Sequence, residues 1–104
     1  NMNSNDRKST IDFTVSRDNL YREESFTDIK VAAIRRLTPV KPDGSEDNSR
    51  DPIFMGQSQL MTPSGPIMLQ SLLDAKTFEE SMDKFPAAMQ KEMDRVLAES
   101  NEKQ

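Results

Sequence analysis

Thr77-Phe78-Glu79-Glu80-Ser81-Met82-Asp83-Lys84-Phe85-Pro86-Ala87-Ala88-Met89-Gln90-Lys91-Glu92-Met93-Asp94-Arg95-Val96-Leu97 is the stretch that decides the fold class. Phe78, Met82, Phe85, Met89, Met93, Val96 and Leu97 recur at three- and four-residue steps, the stripe of an amphipathic helix. Thr77 and Glu80 have capping-box spacing, with Glu80 placed to return to the Thr77 backbone N–H. Pro86 removes one backbone donor and costs about 3 kcal/mol in a helix interior. Asp83 could cap a restarted helix and leave Pro86 in its first turn. The expectation is a kink or break at 83–86 with the apolar face kept in phase. Phe78, Phe85, Met89 and Leu97 should pack, while Glu80, Lys84, Lys91 and Arg95 stay wet. Glu80 and Lys84 are also spaced for an i,i+4 pair.

The chain ahead of this helix reads as strands. Ile11-Asp12-Phe13-Thr14-Val15 alternates apolar with polar, as a half-buried strand does. Residues 20–26 fit either a loop with apolar anchors or a helical turn. Residues 28–40 form the clearest strand, rich in β-branched side chains and apolar on both faces, which suggests a central or subunit-packed position. Residues 41–51, KPDGSEDNSRD, hold no large apolar side chain, and Pro-Asp-Gly is turn chemistry, so a mobile tip is expected. Residues 52–61 return as a strand in which Gly56 marks a bulge or a close backbone approach. Thr62-Pro63-Ser64-Gly65 fits a turn, and residues 66–73 form a further strand whose opening proline suits an edge. The architecture expected is α+β: a three- to four-stranded antiparallel meander with a C-terminal amphipathic helix kinked or broken near Pro86. Residues 1–10 should be a disordered arm, 11–99 a single domain, and 100–104 a frayed end.

Composition narrows the function. The 104 residues contain no cysteine and no histidine. Disulfides, thiolate metal sites and thiol chemistry are therefore out of reach, and so is the commonest general base. Net charge is −4, against the basic footprint of a nucleic-acid binder. No apolar run approaches the ~18 residues of a membrane span, and no signal-peptide pattern opens the chain, which points to the cytoplasm. Apolar residues make up only 34%. So small a core makes a lone monomer marginal, and without cysteine or metal the available remedy is oligomerisation, a homodimer in the simplest case.

Five groups of side chains are candidates for a functional role. The acidic tip at 43–51 lacks the glycine and glutamate positions of a calcium loop, and a solvated turn is favoured. Ser81 and Lys84 have S-x-x-K spacing without the elements that accompany it in penicillin-recognising enzymes. Lys30, Arg35, Arg36 and Lys41 form a basic cluster that could take a phosphate-bearing ligand or nucleic acid. Arg35 points away from Lys30 and Arg36, however, and ion pairing within the domain is favoured. The polar run Arg17, Asp18, Tyr21, Arg22, Glu23 and Glu24 reads as a structural network. Met82, Phe85, Met89 and Met93 would serve either as core or as an adaptable surface for a protein or peptide.

The run Asp12-Phe13-Thr14-Val15-Ser16-Arg17-Asp18-Asn19-Leu20-Tyr21-Arg22-Glu23-Glu24 resembles a family of small bacterial cytoplasmic proteins without an assigned activity. Phe26, Gly56-Gln57 and Leu60-Met61-Thr62-Pro63 extend the likeness over most of residues 11–99. The resemblance implies a bacterial cytosolic setting and carries over no site residue. Together these readings favour a non-enzymatic, homo-oligomeric interaction module without a cofactor, and an anion binder as the alternative.

Overall fold

A computed structural model describes residues 10–102. Most of the arm expected at 1–10, and the last two residues of the end expected at 100–104, lie outside them. Four strands form one antiparallel sheet in chain order, β1 (Tyr21–Thr27), β2 (Ala33–Pro39), β3 (Ile53–Thr62) and β4 (Gly65–Leu73). One helix, α1 (Phe78–Glu102), follows and packs on β3 and β4. The α+β meander is thus present with four strands.

The β3–β4 hairpin forms where the turn chemistry placed it. Pro63 and Ser64 make a two-residue turn, and Gly65 follows at φ 118°, a conformation that L side chains rarely adopt. The Thr62 hydroxyl donates to the Gly65 carbonyl at 2.6 Å. From there the register runs without a bulge from Thr62–Gly65 to Phe54–Leu73. Gly56 therefore serves the other purpose read for it, close approach. A Cβ there would stand 3.1 Å from the Phe85 ring and 3.1 Å from Leu73.

Three departures lie in the first third of the chain. Residues 20–26, read as loop or helical turn, belong mostly to β1, which pairs with β2 from Tyr21–Pro39 to Thr27–Ala33. Residues 11–15, read as a strand, join no ladder; Ile11, Phe13 and Val15 are exposed. The strand read from 28 onward begins only at Ala33, because Asp28 captures the backbone. Its carboxylate accepts the N–H groups of Lys30, Val31 and Ala32 at 2.8, 2.9 and 2.9 Å. That network holds the β1–β2 turn with Ile29 at φ 55°, sterically unfavourable for a β-branched residue.

The loop after β2 is mostly exposed, as expected, and backbone hydrogen bonds cross it. Gly44 N–H donates to Lys41 C=O at 2.7 Å, Lys41 N–H to Ser45 C=O at 2.8 Å, and Asp47 N–H to Pro39 C=O at 2.9 Å. Gly44 takes φ 89°, as the Pro-Asp-Gly turn requires.

Helix α1 starts as its cap predicts, with one change of partner. Glu80 N–H donates to the Thr77 hydroxyl at 3.1 Å, but the Glu80 carboxylate accepts from Lys76 N–H at 2.8 Å, not from Thr77. Glu80 is thereby committed to the cap and, among the described residues, makes no ion pair with Lys84. The helix runs unbroken through Pro86 to Glu102, so Asp83 starts no second helix. Phe85 and Met89, on consecutive turns, dock into a core of Ile34, Phe54, Leu69 and Leu73. This packing either side of the proline offsets its missing bond. Met82 and Leu97 are 47% and 45% exposed, so Leu97, expected to pack, lies instead at the open margin of the stripe.

Phe85→Ala should cost about 3–5 kcal/mol by opening a cavity against the sheet. Lys91→Ala, on the wet face, should cost less than about 0.5 kcal/mol. Thermal melts compare the two, and equal small shifts would mean that α1 is not docked as described. Gly56→Ala should destabilise by about 1–3 kcal/mol, since the Phe85 ring and Leu73, 3.1 Å from the new Cβ, must both shift to admit it. Denaturant titration of that variant measures it.

Candidate interaction surface

A sheet with a helix on one side has two unlike faces. Strand alternation puts Phe26, Ile34, Phe54, Leu69 and Leu73 under α1. The other face carries Leu37, Ile53 and Met55, half-buried by their neighbours, and Met61, Met68 and Leu72. The last three are 69%, 52% and 63% exposed, with no layer above them. In register, Leu37 faces Ile53, and Met55 faces Leu72, one apolar cluster; the Gln57–Gln70 pair separates it from a second, made by Met68 and Met61.

On the helix side, the end of the sheet near the β1–β2 turn leaves a groove of roughly 370 Å³. Phe26, Val31, Ala32, Ile34, Met82 and Phe85 line it. Of the candidate partner surface, Met82 and Phe85 meet at this groove. Met89 is buried, and Met93 packs against the same core. The methionine stripe thus divides between core and surface.

The basic cluster is not brought together. Lys30 sits in the turn before β2 and Lys41 beyond its other end. Arg35 and Arg36, being consecutive in β2, point to opposite faces. Arg35 lies 3.7 Å from Glu23, and Arg36 lies 3.0 Å from Glu24. The Arg36 guanidinium also lies 5.1 Å from the Phe26 ring and 5.9 Å from the Phe78 ring, a cation–π stack fastening β1 to the start of α1. The ion pairing expected within the domain is present for Arg35 and Arg36, with carboxylates of β1.

Arg50, read only as part of a polar tip, turns out to be a clamp. One guanidinium nitrogen donates to both Leu20 C=O and Val40 C=O at 3.0 Å, and Nε donates to Asp47 at 3.1 Å. The plane lies 5.0 Å from the Tyr21 ring. It joins the beginning of β1 to the end of β2. No spacing in the sequence announces this, because the acceptors are backbone carbonyls 30 and 10 residues away.

The shifted carboxylates do structural work. Hydrogen bonds from the Ser49 hydroxyl and N–H, then from Arg50, hold Asp47 down to about 2. Asp28 is lowered by the N–H groups of Ala32, Val31 and Lys30. Asp43 is lowered by the hydroxyl and N–H of Ser45. All three organise turns. Among the described residues, no group of three or more acidic side chains could hold a metal ion, and no helix is long and apolar enough to cross a membrane.

A depressed folded-state value means that Asp47 supports the loop above its ordinary value of 3.8, and that this support is lost as pH falls through about 2. Carboxyl NMR titration should give Asp47 a midpoint near that figure, and Ser49→Ala should raise it. A midpoint at the ordinary value would mean that the Asp47–Ser49–Arg50 turn does not form in solution. Comparison of the chain with family models, curated proteins and solved structures finds no match.

Proposed function

We propose that this chain is a non-enzymatic, homo-oligomeric interaction module that takes a protein or peptide partner. The observation that carries the reading is the face away from α1, where Leu37, Ile53, Met55 and Leu72 cluster at one end and Met61 and Met68 at the other, with no layer of the described residues above them. Soluble monomers rarely leave so much apolar surface on one face without a use for it. The lowered carboxylates organise turns instead of facing one another across a cleft, which favours a binding role over acid–base chemistry. The setting proposed is the bacterial cytosol, on the likeness of residues 12–24.

Sedimentation at micromolar concentration should show a stable homo-oligomer, and a monomer there would overturn the oligomeric reading. An apolar fluorescent dye should bind the native protein through the open face, and Met55→Gln should weaken that binding about tenfold. Unchanged dye binding would count against the face as the partner surface. Binding of a phosphate polymer that weakens steeply with salt would instead favour the anion-binding alternative.

A further inference from the structure

The strand order leaves two free edges, and they are made differently. β1 contains Arg22, Glu23 and Glu24 among its seven residues. Charged side chains on an edge are the usual device against pairing with another chain. β4, Gly65-Pro66-Ile67-Met68-Leu69-Gln70-Ser71-Leu72-Leu73, has no charged residue in nine. One edge is protected and the other is not.

The ladder shows what the unprotected edge offers. Asp28 N–H bonds Ala32 C=O, and Val40 N–H bonds Leu20 C=O, so even-numbered residues of β2 bond to β1 and odd-numbered ones to β3. Carried across the registers, β3 bonds to β4 through Ile67, Leu69, Ser71 and Leu73. The backbone groups of Pro66, Met68, Gln70 and Leu72 therefore face outward. Pro66 lacks an N–H, and its outward position spares the β3 ladder that loss.

We infer that β4 is the interface of a two-fold homodimer, pairing antiparallel with β4 of a second copy about an axis at Gln70. The inference rests on the homo-oligomeric reading above and specifies its surface. An antiparallel strand pair is self-complementary, as a two-fold interface must be. Centred on Gln70, the pairing sets Gln70 against Gln70 of the second copy, and Met68 against Leu72 twice. Each of these residues has the N–H that its ladder position needs. Moving the centre to Leu69 would set Pro66 opposite Leu72 and lose a donor on each side, so the proline disfavours that register. The chosen register joins Met68 and Leu72, both more than half exposed, into apolar pairs flanking a Gln70–Gln70 amide pair.

The start of α1 lies over β1 and β2, where Phe78 meets Phe26 and Arg36, away from the proposed seam. The two sheets become one of eight strands, and the open apolar faces join into a single platform. A stable interface needs about 800 Å² from each partner, close to a tenth of this chain's surface.

The absence of native cysteine makes the test direct. Residues opposed in a hydrogen-bonded antiparallel pair have Cα atoms about 5.5 Å apart, within disulfide reach. Gln70→Cys, oxidised at micromolar concentration, should cross-link almost completely, whereas Ser25→Cys on the β1 edge should not. Gln70→Pro, which removes an outward N–H without touching the β3 ladder, should raise the dimer dissociation constant at least tenfold. Its circular dichroism should stay native. A native dimer that neither cross-links through Gln70→Cys nor weakens with Gln70→Pro would overturn the β4 interface and leave the oligomeric reading standing. A native monomer by sedimentation would overturn both.

Discussion

Phe85 lies against the backbone of β3 at Gly56, where a methyl group would meet its ring at 3.1 Å. Much of the molecule hangs on that approach. With no side chain at position 56, the ring sinks between Phe54 and Leu73, and α1 is held at the height that also buries Met89. The docking holds Pro86 inside a continuous helix, because the turns on both sides are pinned by packing and need not rely on one backbone bond. It also seals Ser81, fully buried, whose hydroxyl donates to Phe78 C=O at 2.5 Å. A single close contact thus links the sheet, the helix and the tolerance of a proline.

Sequence patterns were informative wherever one local rule governed the outcome. The stripe of α1 has one periodicity and one face, and the Pro63-Ser64 turn between β3 and β4 has its own chemistry. Rules failed where the deciding partner was remote. β1 reads YREESFT, too charged to resemble a half-buried strand, yet Glu24 and Arg36 stand opposite each other and neutralise the pair. Residues 11–15 have the alternation of a strand, but alternation supplies only a face, and a strand also needs an edge to pair with. Ile29 and Val31 have high β-propensity, and Asp28 overrides it by offering one carboxylate to three N–H groups. The expected break at Pro86 weighed the lost bond without the docking that offsets it.

Candidate chemistry was legible to a similar degree. Side-chain parity separated Arg35 from Arg36 in advance, while their partners, Glu23 and Glu24, lay in a segment not recognised as strand. Met82, Phe85, Met89 and Met93 share a helical stripe, and a stripe cannot say which of its members meet the sheet. Burial divides them according to where the sheet ends beneath α1. The open face was also beyond reach, since it depends on α1 covering one side only, and strand patterns alone do not show which side.

Stability within such a layout cannot be uniform. β3, β4 and α1 share Phe54, Leu69, Leu73, Phe85 and Met89, five of the six side chains in the central cluster. β2 adds Ile34, and β1 reaches the helix through Phe26, whose ring centroid lies 4.6 Å from that of Phe78. Beyond that, the β1–β2 hairpin is held by partly exposed ion pairs, each worth about 1 kcal/mol or less, and by the Arg50 clamp. Local opening should therefore begin at β1 and leave the β3–β4–α1 unit intact. The charged edge belongs to the part that opens most readily, where stray pairing would be most harmful. The uncharged edge belongs to the part held most firmly, and a permanent interface gains from being built on the element that moves least.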